Sequence, residues 1–393
     1  MSDLHLSTEQ TLLREVAQRY FGARYTFAER QAIVASPEGH DRERWAEFAE
    51  MGWLGMGFPE RFGGSEASMA DIVLLMRSFG QALVVEPYLA SVCLGGRAVL
   101  NSGDEGHCRA MLPDLIAGRL HLALAYLEPT SGERFHAVET TATPTAAGFR
   151  LSGRKALVLG PTSADWLIVS ARTSGDATDR EGVTLFRVRS DAPKVRTRPY
   201  ATIDGRRAAE VWFDDVPVEA ADMIGPLGGG VPILEDTVTQ AALILLGEAQ
   251  GAIQGALERT IDYLNTREQF GRKLADFQAL RHRVADMVAA KEEAAALIVL
   301  AARSFDDGEP DRDQCVAIAK AYVGLEGAAV CKEAIQLHGA IAISDEYIVG
   351  HYLKRVVCID RLFGGVDQQI DYFISRFEPL AHHAVRQGIV STS

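Results

Sequence analysis

The chain has 393 residues, 47% of them hydrophobic and 24% charged, with a formal net charge of −13. That length and apolar content suffice for two or three packed units. The negative balance argues against non-specific binding to nucleic acid or to an anionic membrane. Local basic pairs such as Arg272/Lys273 still leave room for phosphate contacts. Five scattered cysteines (Cys93, Cys108, Cys315, Cys331 and Cys358) contain no C-x-x-C, so neither a disulfide framework nor a metal site is expected. The first residues lack the pattern of a secretory signal, and the longest apolar run, Ala294 to Ala302, is far shorter than the roughly 18 residues a membrane span needs. A reduced, cytoplasmic setting is the expectation.

Residues 1–121 read as mostly helical. Ser7-Thr8-Glu9-Gln10 is a helix start with Ser7 or Thr8 as cap. Leu12, Leu13, Val16 and Tyr20 then mark one helical face. Phe58 to Gly64 carries turn chemistry, after which Ile72, Leu74, Leu75 and Phe79 resume the helical period. From about residue 122 the period changes. Thr140–Thr143, Phe149–Gly153, Leu157–Leu159, Trp166–Ser170, Thr184–Val188 and Glu210–Phe213 read as strands between Gly, Pro and Asp turns, which predicts a β-unit over 122–225. Pro226-Leu227-Gly228-Gly229-Gly230 suits a hinge. Residues 226–393 return to a helical period through Leu234, Val238, Ala241, Leu245, Ala249, Ile253 and Leu257, with a break near Asp306–Pro310. Trp45, Trp53, Trp166 and Trp212 suit core or interface positions.

This helical, β, helical order, together with an ordered set of motifs, resembles the acyl-CoA dehydrogenases. Arg267-Glu268-Gln269-Phe270-Gly271, Phe277-Gln278 and Ala285-Asp286-Met287 match one string of that family. Gln336-Leu337-His338-Gly339 and Tyr347 through Arg355 match another, and Glu128-Pro129 and Gly153-Arg154-Lys155 match its β-unit. Glu86–Ala90, Leu167–Arg172, Gly350–Arg355 and Leu362-Phe363-Gly364 look closer to the small subunit of pimeloyl-CoA dehydrogenase. The resemblance implies an α+β fold: an N-terminal helical domain, a middle β-barrel or sandwich, and a C-terminal four-helix bundle. It implies FAD as cofactor, an acyl-CoA substrate and an electron-transfer flavoprotein as acceptor.

The resemblance also assigns roles. Arg267, Gln269 and Phe270 would approach the pyrophosphate of a flavin held by a neighbouring subunit, where an Arg fork suits phosphate oxygens. Gln336 and Gly339 would let the backbone come close to that flavin, and Gln368 is a retained contact. Alanines 340 and 342 stand where the family has glycines, which would narrow the site if those positions needed φ > 0. Around the isoalloxazine ring, Leu127, Leu157, Leu159 and Val366 replace the family's Thr, Trp, Ser/Thr and Thr.

The base is missing. Where the commonest branch of the family places the Glu that removes the α-proton, this chain has Gly364. A variant branch carries its base at the position of Ala241. Among other carboxylates, Glu235 and Asp236 read as exposed, Asp367 as a helix N-cap, and Glu248 as a packing or surface residue; His338 and His351 read as packing and phosphate-side residues. No catalytic residue is therefore assigned. The reading implied is a subunit of a heteromeric enzyme, serving the FAD of a homologous large subunit and a bulky or dicarboxylic acyl-CoA. The alternatives are a self-sufficient homotetramer with an unusual base, a non-catalytic acyl-CoA-binding or scaffolding paralogue, and a relative turned to flavin monooxygenase chemistry.

Overall fold

The computed structural model describes residues 6–132 and 134–376. The first part is helical: α1 (Thr8–Arg24), α2 (Phe27–Ala35), α3 (Arg42–Glu50), α4 (Met69–Ala82), α5 (Arg97–Asn101) and α6 (Glu105–Ile116). Ser7 is the cap of α1. Its hydroxyl oxygen accepts from the Gln10 N–H at 3.1 Å, and Gln10 Oε1 accepts from the Ser7 N–H at 3.2 Å. That reciprocal pair satisfies two donors that a helix start leaves open. Trp45, Phe48, Trp53 and Phe79 are buried where these helices meet.

Eight strands follow: β1 (Leu122–Ala125), β2 (Thr141–Thr145), β3 (Gly148–Leu159), β4 (Trp166–Arg172), β5 (Val183–Arg189), β6 (Val195–Ala201), β7 (Arg207–Glu219) and β8 (Met223–Ile224). They pair in the order β6-β7-β3-β2-β4-β5-β8, with β1 running parallel beside β4. Phe149–Gly153 and Leu157–Leu159, expected as separate strands, are one strand that shifts register between Lys155 and Val158. Leu157 sits in that bulge with φ 48°. Bulges of this kind re-aim side chains near sites. Strand β6 escapes the pattern reading because it is an edge. Arg196, Arg198 and Pro199 blunt it against further pairing and erase the alternation.

Helix α7 (Gly230–Thr266) then crosses α4 at backbone contact: a Cβ added at Gly80 would lie 1.8 Å from the Glu248 carbonyl oxygen. The preceding loop is tied down rather than free to hinge, since the Gly182 N–H donates to Gly228 O at 3.0 Å and the Gly228 N–H to Thr184 Oγ1 at 2.9 Å. A hairpin of β9 (Glu268–Gln269) and β10 (Arg272–Lys273) leads into α8 (Gln278–Asp306), α9 (Arg312–Tyr322), α10 (Ala328–His338), α11 (Ile348–Arg361) and α12 (Val366–Arg376). The predicted α+β class holds. Among the described residues two helical stretches, Gly230–Thr266 and Arg312–Ile343, are long and apolar enough to cross a membrane, but 72% and 61% of their most apolar windows are buried inside the protein. They are core helices.

Candidate functional site

Between α11 and α12 the backbone passes through two successive left-handed residues, Phe363 at φ 63° and Gly364 at φ 96°. Only glycine adopts the second without strain. The Gly364 carbonyl accepts from the buried Lys320 ammonium at 2.5 Å, and Lys320 also donates to Asp360 O at 2.9 Å and Ile359 O at 3.3 Å. Gln369 Nε2 donates to Phe363 O at 2.7 Å. Gly364 is thus part of a tied turn. We expect Gly364→Glu to gain no dehydrogenase activity and to lower the melting temperature, because a side chain at that φ costs about 1–3 kcal/mol. A thermal melt together with a flavin-reduction assay checks both.

The other carboxylates resolve as follows. Asp367 is not an N-cap: it lies exposed in the first turn of α12, after Val366, and Gln368 Oε1 closes the helix start by accepting from the Gly365 N–H at 2.8 Å. Gln368 therefore spends its oxygen on its own backbone. Ala241 and Ala242 are buried in the core. Glu235 and Asp236 are half-buried rather than exposed, and pair with Arg180 at 2.7 Å and Arg312 at 2.6 Å.

Glu248 departs furthest from its expectation. It is fully buried, between Arg206 from the turn before β7 and Arg355 from α11. Arg206 Nη2 donates to both carboxylate oxygens, to Oε2 at 2.5 Å, and Arg355 Nη1 donates to Oε1. Arg355 Nε lies 2.9 Å from Asp204 Oδ2, and Arg30 from α2 donates to Asp204 O at 2.6 Å and to Leu83 O at 3.0 Å. Burial opposes the charge of Asp204, yet the Arg355 and Arg206 guanidiniums hold its carboxyl below the usual range. Burial pulls the Arg30 guanidinium down to about 10. This cluster joins the N-terminal helices, the sheet and the C-terminal helices.

On the ring side, Leu159 is buried in the main core, and Leu127 and Leu157 pack against it. The crevice that Leu159 lines has a volume of only about 30 Å³. No leucine side chain can hydrogen-bond a flavin ring, so these residues do not fit one. Nearby, Glu128 and Lys155 of the two β-unit motifs form a buried ion pair at 2.6 Å. Glu128 also accepts the N–H groups of Glu139 and Thr140 at 2.7 and 3.0 Å, and Lys155 Nζ donates to Ser170 Oγ at 3.0 Å. Burial drives the Lys155 ammonium down to about 8, against the pull of Glu128. The motifs are structural here.

The opposite end differs. Arg267 follows α7, and the next residues form the hairpin whose tip, Phe270-Gly271, has φ 55° and 77°, as a type I′ turn demands. Phe270 is 89% exposed on that tip. The Tyr263 ring stacks on His338 at 4.5 Å, which brings the end of α7 against the end of α10. Arg267, Gln269 and Phe270 are thereby brought to the same end of the bundle as Gln336 and Gly339, and all five are exposed. His338 is a packing residue between Tyr263 and Tyr347, and His351 packs on Phe27. Gly339 has φ 70° and ψ −146°, so its backbone requires glycine although a Cβ would meet nothing within 4 Å. Ala340 and Ala342 do not have positive φ, so the methyl groups there impose no backbone strain. These residues do fit an extended anionic group presented from outside the chain.

Helical, β and helical units are thus clamped by a buried charge cluster, with an exposed, partly apolar rim at one bundle end. Three consecutive family models match: the acyl-CoA dehydrogenase N-terminal domain over residues 7–119, the middle domain over 123–216 and the C-terminal domain over 228–374. The chain belongs to the acyl-CoA dehydrogenase family. It is 28% identical over 351 residues to the caffeyl-CoA reductase-Etf complex subunit CarC of Acetobacterium woodii, covering 88% of this chain and 92% of that one. It is 29% identical to isovaleryl-CoA dehydrogenase of Pongo abelii, covering 89% and 84%. The solved structure of a variant of the Tcur3481-Tcur3483 steroid ACAD superposes with a TM-score of 0.82 at 29% identity, covering 96% and 99%.

Proposed function

We propose that this chain is the non-catalytic subunit of a heteromeric acyl-CoA dehydrogenase, lending its bundle end to FAD held by a homologous partner subunit. The observation that carries this reading is the split site. Residues suited to a neighbour's pyrophosphate are exposed at one end, while the ring-side positions are leucines packed into the core. Ile341 and Ile343, 48% and 79% exposed beside Gly339, and the protruding Phe270 make that end apolar as well as cationic, which suits a covered surface. The similar steroid ACAD is named by two components together, Tcur3481 and Tcur3483, and this supports a two-chain enzyme acting on a bulky acyl group. The CarC name supports an electron-transfer flavoprotein as acceptor.

In this reading the three domains run over 1–121, 122–225 and 226–393, and the enzyme works in the cytoplasm. FAD supplies hydride acceptance, and the partner subunit supplies the base. Arg267 would hold the pyrophosphate, with Gln269, Phe270, Gln336 and Gly339 contributing to the same cofactor surface. Gln368 would meet the cofactor through its Nε2 group, since its oxygen already accepts from the Gly365 N–H.

Arg267→Ala should weaken FAD binding by the heteromer about tenfold to a hundredfold, the loss of a charge-assisted hydrogen bond worth roughly 1.5–3 kcal/mol. Leu127→Ala and Leu159→Ala should leave that affinity nearly unchanged. Titrating the apo-heteromer with FAD tests all three. Loss of flavin in the leucine variants but not in the Arg variant would mean that the chain holds its own ring.

A further inference from the structure

We propose that the exposed face of β6, β7 and β3 is a docking surface for an acidic segment of a protein partner, with Trp212 at its centre. The ladder sets Arg196 of β6 and Arg154 of β3 directly opposite Trp212 of β7, one on each side. Residues directly opposite one another in a sheet share a face. Arg198 adds a third guanidinium two residues further along β6, opposite Glu210. The Arg154, Arg196 and Arg198 guanidinium carbons lie 5.2, 5.6 and 5.8 Å from the centroid of the Trp212 ring. Trp212 is half-buried and all three arginines are exposed. Unlike the sealed cluster around Glu248, these cations are open to a partner.

Charge selects the partner. Glu210 serves two guanidiniums at once, Arg154 at 2.7 Å and Arg198 at 2.8 Å. Asp215 is likewise shared, by Arg150 at 2.9 Å and Lys194 at 3.3 Å. Arg196 pairs with no carboxylate among the described residues and rests on the indole. Even with the exposed Asp214 counted, five cations stand against three carboxylates, on a chain whose formal charge is −13. Beyond the Debye length of about 8 Å at physiological salt, that acidic remainder is screened and the local excess acts only at contact range. An extended polyanion, nucleic acid or a membrane surface, would bring much of its charge against the acidic remainder, whereas a short acidic segment would not. Trp and Arg are also the side chains that dominate protein–protein hot spots. Arg196 and Arg198 stand two residues apart on one strand, about 6.6 Å, the spacing of alternate side chains in an extended segment. The surface belongs to the sheet, so it stands whether or not the chain lends its bundle end to a partner's FAD.

The test is titration of the full-length chain, in the assembly it purifies with, against an octaglutamate peptide, an octathymidylate and phosphatidylserine vesicles. Calorimetry gives the affinities and tryptophan fluorescence reports on Trp212. The peptide should bind, change the fluorescence, and bind more weakly as salt is raised. Reversing both charges in Arg196→Glu/Arg198→Glu should weaken peptide binding about thirtyfold, since each reversal replaces an exposed attraction with a repulsion. Arg19→Glu/Arg109→Glu changes the net charge equally at exposed positions on α1 and α6 and should bind like the parent. Trp212→Phe keeps a ring under the guanidiniums, so it should still bind while the fluorescence change disappears. Circular dichroism confirms the fold of each variant. Failure of the peptide to bind the native parent overturns the proposal, as does undiminished binding in Arg196→Glu/Arg198→Glu or an equal loss in Arg19→Glu/Arg109→Glu. A fluorescence change that survives Trp212→Phe places the contact elsewhere and overturns it too. Tighter binding of the octathymidylate or the vesicles than of the peptide would make the face a nucleic-acid or membrane contact instead.

Discussion

Glu248→Ala should lower the unfolding free energy by about 3–5 kcal/mol, the usual cost of stranding buried charges by removing one partner. The carboxylate is the shared acceptor for Arg206 and Arg355, and Arg355 is itself fully buried. Without Glu248 only Asp204 remains to balance three guanidiniums. Because the cluster ties the N-terminal helices, the sheet and the C-terminal helices together, the transition should also become less cooperative. Denaturant unfolding followed by tryptophan fluorescence and by circular dichroism reads both effects. Glu258→Ala is the control: that carboxylate is exposed and, among the described residues, bonds Gln81 and Gln254, so its loss should stay within about 1 kcal/mol. A Glu248→Ala cost as small as the control's would show that the cluster does not hold the junction.

The second large effect depends on pH. The Glu86 carboxyl is raised from an ordinary value of 4.5 to about 7 by burial. A shift of that size corresponds to about 3 kcal/mol at 1.36 kcal/mol per pKa unit. The folded chain holds this proton more tightly than the unfolded chain does. Its contribution to stability is therefore complete below about pH 4.5 and is lost as pH rises through about 7. Glu86→Gln keeps an acceptor for the Tyr25 hydroxyl and has nothing to ionise. It should match the parent near pH 4.5 and exceed it by up to about 3 kcal/mol near pH 8. Parallel denaturation curves for the two proteins across that range would refute the assignment.

Much of the scaffold was legible along the chain. Ser7 and Gln10 announce a helix start, the period-two runs announce strands, and Gln278 onward announces a bundle. What stayed hidden has a common physical origin. The bulge that fuses the two halves of β3 needs the partner strand β7 to define its register. The hairpin tip at Phe270 is a two-residue turn with strands too short to show alternation. Val366-Asp367-Gln368 looks like a cap sequence, yet the turn ahead of it is shaped by Lys320, which lies on another helix.

The missing carboxylate at Gly364, the leucines at 127, 157 and 159, and the order helical, β, helical follow from the amino-acid sequence alone. Side-chain chemistry and local periodicity are properties of neighbours in the chain. Which ionisable groups lose their water is decided only in three dimensions. Glu248, flanked by Gly247 and Ala249, carries no local sign that Arg206 and Arg355 will converge on it from 42 and 107 residues away. Glu86 likewise gives no sign that burial will leave one of its oxygens without a hydrogen-bond partner among the described residues. Desolvation and charge pairing depend on which distant elements pack together, and no stretch of sequence contains that information by itself.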